Sequence, residues 1–157
     1  MAMQAPSTES QIDKDALLRG VPLFGDLGDE EIAALAGLSR VCVYPAGSEI
    51  IEEGSEVFDE DDGLYLLVGG TVEVRKDSTD GHDGRLLAEF GPGDFFGELA
   101  LLDEDPRSAS VFSTSDVQCL VLSRWDFWRC LRANPSIATR MLVALARRLR
   151  RTSNGQS

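Results

Sequence analysis

Between residues 40 and 122 the chain breaks into short apolar-rich runs divided by turn residues. On either side of that stretch its apolar positions recur at helical spacing. The runs are Arg40–Tyr44, Glu49–Glu52, Leu64–Val68, Thr71–Lys76, Arg85–Phe90, Ser108–Phe112 and Val117–Leu122. Thr71–Arg75 alternates strictly, which puts Val72 and Val74 on one face of a strand and the polar residues on the other. Pro45-Ala46-Gly47, Asp77–Gly84 and Gly91-Pro92-Gly93-Asp94 supply the turn chemistry between runs. Strands at this spacing predict a mainly β fold, an antiparallel sandwich or jelly roll.

The flanks read as helices. Residues 1–12 are small, polar and aperiodic and predict a disordered lead. Asp13–Arg19 suits a short helix, stopped by Gly20 and the turn Val21–Gly25. A second helix opens at Gly28-Asp29-Glu30-Glu31, with carboxylates where the helix dipole favours them. Its apolar stripe is Ile32, Leu35 and Ala36. After the β region, Arg124–Ala133 places Trp125, Trp128 and Leu131 at helical spacing, and Asn134-Pro135 breaks it. Ser136 is positioned to cap a last helix through Arg151, in which Ala138, Leu142, Leu145 and Leu149 form a short heptad-like seam. That seam packs on the sandwich, or belongs to a helix that closes on a ligand or pairs with a second copy as a homodimer, and these readings are compatible. One domain is expected over residues 13–151, with the roll at about 40–122, closing helices at about 124–151 and a tail at 152–157.

Composition narrows the class. A chain of 157 residues can bury a core without disulfides, and no run approaches the ~20 apolar residues of a membrane span. The N-terminus has neither the basic start nor the apolar segment of a secretory signal. Cys42, Cys119 and Cys130 are odd in number and widely spaced, which suggests buried reduced thiols and a cytoplasmic setting. Net charge is −12 and unevenly spread. Residues 1–105 hold 25 acidic and 6 basic side chains; residues 106–157 hold 2 acidic and 9 basic. The acidic front argues against direct contact with nucleic acid, whose affinity rests on accumulated positive contacts.

Candidate chemistry concentrates in Gly97–Ser110. A glycine-led short helix carries a carboxylate, Glu98, at its start, and Arg107 follows nine residues later between Pro106 and small residues. Backbone N–H groups at a helix start and an arginine fork together suit a small anion. Glu98 cannot sit against that anion and is an acceptor for a hydroxyl on the same ligand. Gly97 allows close backbone approach, Leu99 and Ala100 offer N–H groups, Ser108 adds a hydroxyl and an N–H, and Ala109 leaves space. A cyclic nucleotide combines these features: one cyclic phosphodiester beside a free ribose 2′-hydroxyl.

Phe96–Val111 also resembles, without a gap, the phosphate-binding cassette of the cyclic nucleotide-binding domain family. Gly47, Gly54, Gly70, Gly91 and Gly93 are similar to that family's turn glycines, and Leu64–Leu67 to its Tyr/Leu-rich strand. The resemblance covers roughly residues 15–150 and implies an eight-stranded roll with flanking helices. It further implies a regulatory domain that senses cAMP or cGMP and moves its C-terminal helices on binding. In family members that prefer cGMP a threonine or serine directly after the arginine contacts the guanine amino group. Ser108 occupies that position, but cAMP-responsive bacterial members also carry serine there, and cAMP is the favoured ligand. A lid over the base comes from the final helix in such proteins, which points to Arg148, with Arg147 and Arg150 as neighbours. No helix-turn-helix follows Arg151, so the regulated output is expected in an effector protein or in sequence beyond this chain. The alternative is a protein-interaction domain that kept the fold and lost the ligand.

Catalysis and metal binding find no support. His82 is the single histidine, which leaves no metal-phosphodiesterase or cupin ligand set. Gly91-Pro92-Gly93 is too short for a P-loop and lacks its lysine. The acidic stretch Glu52–Asp62 does not have EF-hand spacing and is expected to be a solvated loop. No cofactor beyond the nucleotide ligand is expected.

Overall fold

The computed structural model describes residues 3–4, 12–54, 63–76, 84–102 and 107–154. It is the expected antiparallel roll flanked by helices. Strands are β1 (Met3–Gln4), β2 (Arg40–Tyr44), β3 (Glu49–Ile51), β4 (Gly63–Gly69), β5 (Val72–Lys76), β6 (Arg85–Phe90), β7 (Phe95–Phe96), β8 (Ser110–Ser113) and β9 (Val117–Ser123). Helices are α1 (Lys14–Arg19), α2 (Asp29–Leu38), α3 (Arg124–Ala133) and α4 (Pro135–Asn154), with 3-10 turns at Pro22–Phe24 and Glu98–Leu101. One sheet runs β1-β2-β9-β4-β7 and the other β3-β8-β5-β6.

The two sheets differ in what they bury. On β4, Leu64 and Leu66 pack towards the helices while Tyr65 and Leu67 point into the roll; on β9, Leu120 and Leu122 do the former and Cys119 and Val121 the latter. Both faces are covered, so these strands read as continuous apolar runs rather than alternating ones. β5 alternates because only Val72 and Val74 pack inwards, while Arg75 bonds Glu73 at 2.9 Å on the other face. The thiol of Cys119 sits fully buried opposite Cys42, and burial, with Cys42 adding to it, pushes it up to about 12.

Four local expectations are corrected. β7 was not foreseen: two residues between turn segments carry no period to detect, yet they pair with Tyr65 and Leu66. Met3–Gln4, placed in the disordered lead, pair with Cys42 and Val43. Trp125 does not belong to the buried stripe of α3, which is Phe127, Cys130 and Leu131; it stands 65% exposed. Ser136 does not cap α4, because Pro135 already occupies the first helical position. Its hydroxyl instead donates to Glu31 on α2.

The α4 seam also differs in phase. The helix rests on the domain through Ile137, Met141 and Ala144, whereas Leu142 and Leu149 are exposed and Ala138 and Leu145 are half-buried. Glu31 fastens this end of the molecule, accepting from the Gly28 N–H at 2.7 Å and pairing with Arg140 at 3.1 Å. The Ser136 hydroxyl, then the Gly28 N–H and Arg140, hold its carboxyl below the ordinary glutamate value.

Candidate functional site

The cassette begins where β7 ends. Phe96 stacks on Tyr65 with ring centroids 5.0 Å apart, fixing the strand just before Gly97. Gly97 has φ +84°, and a Cβ there would lie 2.4 Å from the Gly63 carbonyl oxygen and 2.9 Å from Arg107 Nη1. Glycine is therefore required twice, by backbone conformation and by the closeness of the guanidinium. The helix that follows is one 3-10 turn, Glu98–Leu101. A single turn contributes individual N–H groups rather than an accumulated dipole. The Ala100 N–H is already bonded to the Gly97 carbonyl at 3.1 Å.

Arg107 is only 9% exposed, and its Nη2 donates to the Gly63 carbonyl at 2.9 Å. Its own carbonyl accepts from the Gly54 N–H at 2.7 Å, and the next carbonyl, of Ser108, accepts from Lys76 Nζ at 2.8 Å. Three distant segments thus fix the backbone and side chain of the arginine. Ser108 and Ala109 form a bend before β8 rather than the expected start of that strand.

Glu98 is held differently. Its side chain is 11% exposed; Oε1 lies 3.4 Å from Arg148 Nη1, and Oε2 is buried with no hydrogen-bond partner among the described residues. Burying a carboxylate oxygen without a donor is costly, so Oε2 is, among the described residues, an acceptor still open to a donor. Arg148 reaches Glu98 because it continues the inward positions Ile137, Met141 and Ala144 at steps of four, three and four.

Glu98, Arg107, Ser108 and Ala109 line a cavity of about 470 Å³, together with Gly97 and Ala100. Its other wall is apolar, from Val74, Ala88 and Phe90. The volume lies within the range of small-molecule sites, which run from about 300 to 1,000 Å³. A permanent cation, an unsatisfied hydroxyl acceptor and a flat apolar wall therefore converge on one space. The sequence pointed to the polar members; it did not point to Gly63, Lys76 or the apolar wall, which lie outside the contiguous motif.

Several expected features fall elsewhere. Asp103, Glu104, Asp105 and Pro106, the acidic positions 55–62 and His82 lie outside the described residues, as do the side chain of Leu99 and the tail 155–157. Arg147 points away from the cavity and pairs with Asp26 at 2.8 Å. No group of three or more metal-binding side chains occurs among the described residues. No helix among them is long and apolar enough to cross a membrane.

The model of the cyclic nucleotide-binding domain matches residues 41–134, which contain the whole cavity lining named above. The chain belongs to the cyclic nucleotide-binding domain family. A cyclic AMP receptor protein of Thermus thermophilus is 38% identical over 133 residues, covering 85% of this chain and 59% of that protein. A cAMP-dependent protein kinase regulatory subunit of Aspergillus fumigatus is 43% identical over 117 residues, covering 74% of this chain and 26% of that protein. Among solved structures, the N-terminal domain of a transcriptional regulator from Streptomyces coelicolor A3(2) superposes with a TM-score of 0.79. It is 35% identical and covers 90% of this chain and 97% of that one. The chain spans about 59% of the receptor protein's length and a quarter of the kinase subunit's.

Proposed function

We propose that this cyclic nucleotide-binding domain is a cAMP sensor whose last helix responds to the ligand at Glu98. The carrying observation is that a buried Arg107 and a buried Glu98 Oε2, which has no hydrogen-bond partner among the described residues, line one cavity. Neither charge is needed to fill the core, and burying both without a ligand is unfavourable.

Arg107 takes the cyclic phosphate through its guanidinium fork, assisted by backbone N–H groups at Leu99, Ser108 and Ala109. The ribose 2′-hydroxyl donates to Glu98 Oε2. Gly97 keeps the backbone close, Ala100 shapes the floor, and the purine lies along Val74, Ala88 and Phe90. cAMP is favoured over cGMP. Arg148 is the link to the output: a hydroxyl bound at Glu98 draws charge from the oxygen that faces Arg148, which then turns towards the purine and carries α4 with it. Domain motion of this kind needs two arrangements of similar free energy, and a single ion pair of modest length is a suitable hinge contact.

As a regulatory module it has no catalytic role, works in the cytoplasm and passes its signal to an effector protein or an attached output domain. The exposed Leu142 and Leu149 of α4 support pairing with a second copy. Calorimetric titration with cAMP and with cGMP tests the sensor role. One saturable cAMP site per chain is expected. Absence of binding by both nucleotides at millimolar concentration overturns it, and at least tenfold tighter cGMP binding overturns the choice of purine.

A further inference from the structure

A second concave surface lies on α3, away from the cassette cavity. Arg124, Trp125, Trp128, Arg129 and Arg132 enclose about 340 Å³. Trp125 is 65% exposed at its rim, a large apolar ring that the core does not use. The floor is rigid: the Trp128 indole N–H donates to the Leu101 carbonyl at 2.7 Å, and the Arg124 guanidinium lies 5.8 Å from the Trp128 ring centroid. Arg124 Nε is buried without a hydrogen-bond partner among the described residues. Arg129 and Arg132 are exposed, and Asp126, 3.2 Å from Arg129, is the single acidic side chain of the helix.

We propose that this groove docks an acidic segment of a partner protein that carries one bulky apolar residue. The apolar residue packs on Trp125 and Trp128, and flanking carboxylates pair with Arg124, Arg129 and Arg132. Charge complementarity selects the occupant. Three arginines meet one aspartate here, in a chain whose net charge is −12, so a short acidic peptide finds local attraction. A long polyanion such as single-stranded nucleic acid also stacks on aromatic rings, but it must extend beyond these three arginines, in a chain whose net charge is −12. Exposed tryptophan and arginine are the residue types that dominate binding energy at interfaces, and a preorganised floor lowers the ordering cost of binding. The docking stands independently of nucleotide binding at the cassette.

Selection of a displayed random dodecapeptide library on the full chain tests the proposal. Enriched peptides are expected to share at least two acidic residues flanking one bulky apolar residue. Their affinity should fall at least tenfold on Trp125→Ala and on Arg129→Glu, while the melting temperature and the cAMP titration stay unchanged. Enrichment of no peptide, enrichment without that pattern, or an affinity for either variant that falls less than tenfold below the parent's overturns it. So does tighter binding of a twelve-nucleotide oligo-dT than of the best peptide. Loss of self-association in Trp125→Ala, measured by sedimentation, would assign the groove to a second copy and overturn it as well.

Discussion

Arg107 and Glu98 face one cavity but are held in opposite ways. Arg107 is anchored through backbone carbonyls: it donates to that of Gly63, while its own carbonyl accepts from the Gly54 N–H and that of Ser108 from Lys76 Nζ. Glu98 is held by a side chain 50 positions away on the last helix, at 3.4 Å, and leaves one oxygen unused. The first arrangement is stiff because the guanidinium is bonded to the β4 backbone and the main chain beneath it is bonded to two further segments. The second is adjustable because only Arg148 must move. Under the proposed reading, a phosphate end that cannot yield lies beside a ribose end that can.

The comparison breaks most visibly at Arg107. Arg107→Ala should cost about 2–5 kcal/mol of cAMP affinity, the scale for losing one partner of a buried charged contact. Calorimetry with circular dichroism as folding control measures it. Arg107→Lys keeps the charge but not the fork and should recover only part of the loss.

Next in size is Gly97→Ala, which touches both ends at once. Its Cβ would fall 2.4 Å from the Gly63 oxygen that Arg107 uses, at a φ of +84°. A destabilisation of about 1–3 kcal/mol is expected in chemical denaturation, together with weakened cAMP binding. Unchanged values for both would mean that Gly97 and Arg107 are not mechanically joined.

The adjustable end is sharpened by contrasting neighbours on α4. Arg148→Ala should weaken cAMP binding by roughly 1–2 kcal/mol, the scale of one desolvated stacking contact. Arg147→Ala removes only the exposed pair with Asp26, worth about 0–1 kcal/mol of stability, and should leave affinity alone. Equal effects at the two positions would remove Arg148 from the mechanism.

How much of this was legible in the sequence depends on distance along the chain. Phe96–Val111 is contiguous, so its glycine, carboxylate and arginine could be read together. Leu64–Val68 and Val117–Leu122 were legible as strands because burial on both faces leaves unbroken apolar runs. The anchor for Arg107 was not, since Gly63 precedes it by 44 positions and acts through its carbonyl, which every residue possesses. Helix phase was missed on α4 because leucines at 142, 145 and 149 outweigh the pattern of Ile137, Met141 and Ala144, although the latter is what buries. Arg148 was reached by its separation from the cassette; its contact with Glu98 needed the correct phase.

The smallest expected effect concerns how α4 is fastened at its other end. Glu31 titrates below its ordinary value of 4.5 because Ser136, Gly28 and Arg140 favour the carboxylate. A depressed carboxyl adds stability that is complete above the unfolded value and lost as pH falls through the folded one. Melting temperature should therefore drop between about pH 4.5 and lower pH, and Glu31→Gln should flatten part of that fall. An identical profile in the variant would show that Glu31 does not fasten the helix.

Backbone amide NMR during a cAMP titration tests the central claim most directly, because it reports both ends of the cavity and the helix together. Saturable shifts are expected at Gly97–Ala100 and Arg107–Ser110, accompanied by shifts along α4 centred on Arg148, with α1 unmoved. Shifts confined to the cassette, or none at saturating cAMP, would contradict it.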